Sequence, residues 1–126
     1  MVDDEVAVRN LYQLYLETHG YLVISASSVS EALRILRQEQ IAVLILDIFL
    51  GEENGLDLLK AMVAARTAVP VIVMSGIASD NFAFKDALNS GAAAVFTKAL
   101  PLNGLLNEIK KLARDPDPDL SENNYA

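Results

Sequence analysis

The sequence predicts an α/β domain in which a parallel β-sheet is covered by helices on both faces. Two apolar runs carry this prediction, residues 42–46 and residues 69–74, because each has the length of a strand and contains no charged residue. A strand without polar positions is buried on both faces, which is typical of a parallel sheet. Segments with a helical spacing of apolar residues lie between the runs, and this alternation favours right-handed βαβ units.

In the amino-terminal half the sequence predicts two helices and two strands in alternation. The spacing of Leu11, Leu14 and Tyr15 predicts the buried stripe of the first helix. Ser28 and Glu31 have the spacing of a capping box and predict the start of the second helix. In chain order, the predicted elements are helix 5–19, strand 21–25, helix 28–39 and strand 42–47.

The carboxyl-terminal half continues the alternation. Pro70 suits the entry of a strand, Gly91 suits the end of a helix, and Pro101 suits the first turn of the last helix. The predicted elements are helix 54–63, strand 69–74, helix 79–90, strand 93–97 and helix 101–112. We therefore predict one domain over residues 1–113. Residues 114–126 have no periodicity and are expected to form a disordered tail or a severed linker.

Composition excludes several classes of function. The chain has 126 residues, a formal charge of −7 and ten basic residues spread along its length. Nucleic-acid binding needs a clustered basic face, so we expect no direct contact with nucleic acid. No apolar stretch reaches the roughly 20 residues of a membrane-spanning helix, and the absence of cysteine excludes disulfides and thiolate metal sites. We expect a cytoplasmic protein that does not enter the membrane.

Polar side chains follow the predicted strands where those strands end: Asp47, Ser75 and Lys98. The carboxyl ends of parallel strands meet at one edge of the sheet, where ligands of α/β domains bind. If the acidic pair Asp3 and Asp4 reaches the same edge, three carboxylates form the hard oxygen set that Mg²⁺ prefers. A carboxylate beside Mg²⁺, with an ammonium and a hydroxyl nearby, favours acceptance of a phosphoryl group.

Taken singly, the same residues fit simpler roles. Either Asp3 or Asp4 alone is typical of a helix cap. Asp47 alone fits a turn after a strand, and Ser75 fits a cap or a loop hydroxyl. It is the combination of these residues that predicts a phosphoacceptor site.

Six ordered motifs resemble the receiver domain of bacterial two-component response regulators. The resemblance extends from residue 2 to about residue 112 and implies a flavodoxin-like, doubly wound sheet of five parallel strands. Numbered from the amino terminus, those strands would lie in the order 2-1-3-4-5. The motifs are Val2-Asp3-Asp4-Glu5, Leu46-Asp47-Ile48, Asn54-Gly55-Leu56, Ser75-Gly76, Gly91-Ala92 and Lys98.

The resemblance implies a role for each acidic residue. Asp47 corresponds to the aspartate that receives a phosphoryl group from the phosphohistidine of a sensor histidine kinase or a histidine phosphotransfer protein. Asp3, Asp4 and Asp47, with the backbone carbonyl of Phe49, correspond to the ligands of Mg²⁺. The family acts as a phosphoacceptor module rather than as an enzyme.

The resemblance also implies how the phosphoryl group is held and read. Ser75 corresponds to the hydroxyl that bonds to it, Lys98 to the lysine that contacts it, and Gly76 to the small neighbour that leaves room for it. Phosphorylation would switch a protein-protein surface around residues 80–112 that binds a downstream output protein.

The sequence departs from the family pattern at three places. Ala99 follows Lys98 where the family has proline, so a trans peptide bond is expected there, because a non-proline cis bond costs about 3 kcal/mol. Val95 stands where many members have a switch aromatic residue. Only Met1 and Val2 precede the acidic pair, so the first strand is expected to be shortened, which predicts a truncated chain, low stability or a homodimer through that strand.

Two other classes of function stay open. A pseudo-receiver would be an interaction module that is never phosphorylated, and the shortened strand, Val95 and Ala99 favour it. A haloacid-dehalogenase-like phosphohydrolase also uses an aspartate at a strand end. That family needs a second aspartate two positions later, where this chain has Phe49, so we place it last.

Overall fold

The computed structural model describes residues 1–76, 81–97 and 102–113. Its helices are α1 (Val6–Thr18), α2 (Val29–Gln38), α3 (Gly55–Ala64), α4 (Asn81–Asn89) and α5 (Leu102–Leu112). Its strands are β1 (Leu44–Asp47), β2 (Phe49–Leu50), β3 (Glu53–Asn54), β4 (Val71–Ser75) and β5 (Ala94–Thr97). Lys98, Ala99 and the predicted tail 114–126 lie outside the described residues.

A parallel sheet in the order β1-β4-β5 forms the centre of the fold. Leu44 of β1 pairs with Val71, and Asp47 pairs with Met74. Every residue of β1 and β4 is buried, as the two uninterrupted apolar runs predicted. The α/β prediction with a parallel sheet is therefore confirmed.

The amino-terminal edge of the sheet differs from the five-stranded expectation. Val2 forms isolated parallel bridges with Ala26 on one side and Leu46 on the other. The predicted strand 21–25 does not form a ladder, and in the described part of the chain the first two predicted strands are reduced to isolated bridges at Val2 and Leu22.

Alternate residues of β1 face opposite sides of the sheet, as the pleat of a strand requires. Leu44 and Leu46 belong to a buried cluster that includes residues of α2 and α3. Ile45 belongs to a second cluster that includes residues of α1 and α5. Helices thus cover the sheet on both faces, which leaves its strand ends as the accessible edge.

The face of α1 that packs on the sheet is only partly the predicted one. Tyr12 and Leu16 are buried, whereas Leu11 and Leu14 are 54% and 68% exposed. The stripe of Val8, Tyr12 and Leu16, spaced four residues apart, meets the second cluster, and Tyr15 of the predicted stripe packs against the same cluster. The spacing predicted the helix and the packing of Tyr15 correctly, and the burial of Leu11 and Leu14 wrongly.

Helix termini follow the sequence signals. The hydroxyl of Ser28 accepts the backbone N–H of Glu31 at 3.2 Å, which confirms the predicted cap of α2. Gly91 has a φ of +110° after the end of α4, as its predicted stop requires. Among the described residues, no helix combines the length and the apolar content needed to cross a membrane.

Candidate functional site

Three of the predicted site residues converge at the carboxyl end of β1. One carboxylate oxygen from each of Asp3, Asp4 and Asp47 lies within 4.8 Å of the others. The side chains of Asp3 and Asp47 are 1% and 4% exposed, while Asp4 is exposed to solvent. The cluster therefore has two buried carboxylates and one at its mouth.

Backbone hydrogen bonds of Val2 bring the acidic pair to this edge. The Val2 N–H donates to the carbonyl of Ile45 at 2.7 Å, and the Asp47 N–H donates to the carbonyl of Val2 at 2.9 Å. On the other side, the Asp3 N–H donates to the carbonyl of Ala26 at 3.1 Å. The shortened first strand thus still aligns Asp3 with the end of β1.

Each buried carboxylate accepts the backbone N–H two residues further on. Oδ1 of Asp3 accepts the N–H of Glu5 at 2.9 Å, and Oδ1 of Asp47 accepts the N–H of Phe49 at 3.3 Å. These are local Asx-type bonds that fix side-chain orientation. Three like charges so close repel one another, and a divalent cation that prefers carboxylate oxygens relieves that repulsion. The donor set fits Mg²⁺.

A β-hairpin that the sequence did not predict adjoins the cluster. Strands β2 and β3 pair antiparallel, with Phe49 opposite Asn54, and Gly51 in their two-residue loop has a φ of +60°. A Cβ built on Gly51 would lie 3.8 Å from Oδ2 of Asp4. The hairpin loop therefore lies against the exposed carboxylate. The sequence signal for this hairpin was Gly51, which follows the apolar pair of β2 and precedes the polar pair of β3.

Gly55 connects the hairpin to the end of β1. Its N–H donates to the carbonyl of Ile48 at 2.6 Å, and a Cβ built on it would overlap the backbone carbonyl of Asp47. The side chain of Asn54 caps α3 by accepting the N–H of Leu56 at 2.9 Å. The sequence predicts this pair at the start of a helix and as a motif of the family resemblance, but not the close approach of Gly55 to Asp47.

Ser75 occupies the matching position at the end of the neighbouring strand. It is fully buried and follows Met74, which pairs with Asp47. Gly76 comes next and is exposed. Ser75 pairs with Thr97 of β5, and Lys98, which follows Thr97, lies outside the described residues. Ser75 is thus placed at the same sheet edge as the acidic cluster.

The departures from the family pattern also have structural positions. Val95 is partly buried against the cluster that contains residues of α2 and α3, and Phe96 packs against the opposite cluster. The aromatic ring next to Val95 therefore lies on the other face of the sheet.

The α-amino group of Met1 is buried at the start of the shortened strand. It donates to the carbonyl of Ile24 at 2.8 Å, and desolvation by burial lowers its pKa to about 5. A cavity of about 20 Å³ adjoins it, lined by Met1, Val2, Ile24, Ala26, Ala32, Ile35, Leu36, Ile41 and Leu44. A cavity thus lies beside the first residues of the chain.

The comparison with protein families identifies this arrangement. The family model described as the response regulator receiver domain matches residues 1–110. The chain belongs to the response regulator receiver domains. Receiver domains are signalling modules rather than conventional enzymes, and they bind Mg²⁺ at an acidic pocket.

Two curated relatives are similar to this receiver domain. The regulatory protein VirG of Agrobacterium tumefaciens (strain 15955) is 30% identical over 114 residues, which are 90% of this chain and 42% of VirG. The response regulator SaeR of Staphylococcus aureus (strain USA300) is 31% identical, covering 96% of this chain and 55% of SaeR. The chain spans about half the length of these relatives.

A solved structure shows the same fold. The CheY-like response regulator receiver domain protein of Methanospirillum hungatei JF-1 superposes with a TM-score of 0.80 at 30% identity. The match covers 89% of each chain. The flavodoxin-like class predicted for this receiver domain is confirmed.

Proposed function

We propose that this receiver domain accepts a phosphoryl group on Asp47 from the phosphohistidine of a sensor histidine kinase or a histidine phosphotransfer protein. The observation that carries the proposal is the convergence of three carboxylates within 4.8 Å around a buried aspartate at a strand end. A buried carboxylate whose orientation is fixed by a hydrogen bond from the backbone is pre-oriented as a nucleophile.

The metal ligands would be Asp3, Asp4, Asp47 and the backbone carbonyl of Phe49. When bound there, Mg²⁺ would neutralise the carboxylates and the phosphoryl oxygens. Asp3 is fixed by its bond to Glu5 and offers a rigid ligand. Asp4 is exposed and gives the site access to solvent and to a phosphodonor.

The chemical step is a displacement at phosphorus. A carboxylate oxygen of Asp47 forms the new bond to phosphorus, the bond from phosphorus to the donor imidazole breaks, and the electron pair leaves on the imidazole nitrogen. Ser75, buried at the adjacent strand end, would donate its hydroxyl hydrogen to a phosphoryl oxygen. Lys98 would supply an ammonium to the same group.

Phosphorylation would then change the population of two conformations and alter the surface around residues 80–112. That surface contains α4, β5 and α5. The curated relatives extend well beyond the matched receiver domain, since it covers 42% of VirG and 55% of SaeR. We therefore propose a downstream output protein or domain as the partner.

A second candidate function is a pseudo-receiver that binds partners without phosphorylation. The partial burial of Val95 favours it, because no aromatic side chain at that position can rotate in response to phosphate. The carboxylate cluster favours the phosphoacceptor, since an interaction module has no need for converging buried charges.

Incubation with acetyl phosphate and Mg²⁺, followed by intact-mass measurement, separates the two candidates. The phosphoacceptor gains the mass of one phosphoryl group per chain, and the gain depends on Mg²⁺. A pseudo-receiver keeps its original mass under the same conditions.

A further inference from the structure

Arg9 makes a charge-assisted hydrogen bond to the backbone of the acidic pair. It is the fourth residue of α1, and its Nη1 donates to the carbonyl oxygen of Asp3 at 2.6 Å. The side chain is half-buried. Arg9 belongs neither to the predicted strands nor to the predicted metal ligands.

The reach of Arg9 follows from helix geometry. Side chains of a helix point towards its amino terminus, so a long side chain in the first turns extends back over the segment that enters the helix. Here that segment runs from Asp3 to Glu5, between the last sheet contact and the first turn of α1. The guanidinium of Arg9 therefore donates to the carbonyl of Asp3, in a segment that lies between the sheet and the helix.

The bond has a direct consequence for the carboxylates. The Asp3 N–H is held by Ala26 and the Asp3 carboxylate by Glu5, but the peptide group that joins Asp3 to Asp4 is oriented by Arg9. Rotation of that peptide would turn the Asp4 side chain away from Asp47. A planar donor group fixed at this carbonyl limits the rotation.

We infer that Arg9 is a positioning residue of the metal site, which it serves by fixing the peptide between Asp3 and Asp4. The inference rests on the proposed function, since it concerns the site that would hold Mg²⁺. Arg9 touches neither the metal nor the phosphoryl group in this role, and it acts through the ligands it orients.

Removing the charge of Arg9 changes the affinity for Mg²⁺ in opposite directions under the two possible roles, positioning and simple electrostatics. A cationic neighbour repels Mg²⁺, so an Arg9 that acted only through its charge would weaken metal binding, and its removal would tighten binding. If Arg9 positions the ligands, its removal weakens Mg²⁺ binding. Mutation of residues that hydrogen-bond to metal ligands lowers metal affinity about 10- to 100-fold.

The test is calorimetric titration of Mg²⁺ into the parent chain, Arg9→Gln, Arg9→Lys and the control Arg37→Gln. Arg37 is exposed in the last turn of α2, so its substitution removes the same charge without touching the acidic pair. We expect Arg9→Gln to bind Mg²⁺ about 10-fold more weakly than the parent. Arg9→Lys should fall between them, and Arg37→Gln should show no weakening.

Other outcomes overturn the inference. Tighter binding in Arg9→Gln assigns an electrostatic role only, and equal affinity in both Arg9 variants removes any role in the site. If Arg9→Gln does not fold by circular dichroism, Arg9→Lys decides alone: weaker binding supports positioning because the charge is kept, and unchanged binding contradicts it. A parent chain that binds no Mg²⁺ overturns the proposed function itself, whereas a binding parent with unaffected variants overturns only the inference.

Discussion

Gly55 packs directly against the backbone carbonyl of Asp47, so closely that a methyl group at residue 55 would overlap that oxygen. The contact involves main chain on both sides, which a change of rotamer cannot relieve. Together with the bond from the Gly55 N–H to Ile48 at 2.6 Å, it determines the path of the chain immediately after the proposed phosphoacceptor.

Replacing Gly55 by alanine should therefore destabilise the fold and displace Asp47. Overpacking of a buried site costs about 1 to 3 kcal/mol, and we expect at least that loss in the free energy of unfolding, measured by urea denaturation. Gly20→Ala is the matched control, because a Cβ there meets nothing within 4 Å and only its positive φ adds strain. A Gly55→Ala variant no less stable than Gly20→Ala would contradict the contact.

Stability should rise between pH 5 and pH 8 because of the buried Met1 amine. Its folded pKa of about 5 lies below the ordinary value of 8.0, so the unfolded chain binds more protons in this interval and folding becomes more favourable as pH increases. The expected gain is on the order of a few kcal/mol, measured as the free energy of unfolding at each pH. A flat profile would mean that the amine is solvated in the folded chain.

Adding four apolar residues before Met1 should raise the melting temperature. The extension converts the buried amine into an amide, adds strand contacts beside Ile24, and supplies side chains for the adjoining cavity. It should also remove the stability change between pH 5 and pH 8. If the chain instead completes its sheet with a second copy, the parent will be dimeric in sedimentation and the extension will yield monomers without a higher melting temperature.

Arg66 should be replaceable by glycine with a gain in stability. It lies two residues after the end of α3 and has a φ of +56°, while the N–H of Thr67 donates to the carbonyl of Met62 at 2.9 Å, the pattern of a Schellman cap. A side chain in this conformation costs roughly 1 kcal/mol relative to glycine. Arg66→Gly should raise the free energy of unfolding by about that amount, measured by urea denaturation. Arg37→Gly, inside α2, should lower the free energy of unfolding by a similar amount. Equal changes in the two variants would contradict the assignment of Arg66 to a Schellman cap.

Sequence patterns predicted the parts of the fold that depend on burial along a strand. The apolar runs gave β1 and β4, and their last residues, Asp47 and Ser75, lie at one edge because parallel strands end together. Helical spacing predicted α1 and the packing of Tyr15, but Leu11 and Leu14 lie on an exposed apolar stripe. Which stripe packs is decided by tertiary contacts.

Features without periodicity were missed. Strands β2 and β3 have two residues each, too few for a pattern of alternation. The bond from Arg9 to the carbonyl of Asp3 joins a side chain to a backbone atom, and nothing in residue spacing reports such a contact. The close approach of Gly55 to the carbonyl of Asp47 likewise depends on the turn of the intervening hairpin.

The central claim is that Asp47 is the phosphoacceptor, and labelling of its asparagine variant tests it most directly. Asp47→Asn keeps the size of the side chain and removes the nucleophilic oxygen charge, while Asp57→Asn changes an exposed carboxylate on α3 and serves as the control. After incubation with acetyl phosphate and Mg²⁺, the parent and Asp57→Asn should each gain one phosphoryl group by intact mass, and Asp47→Asn should gain none. Undiminished labelling of Asp47→Asn, or no labelling of the folded parent, would contradict the account.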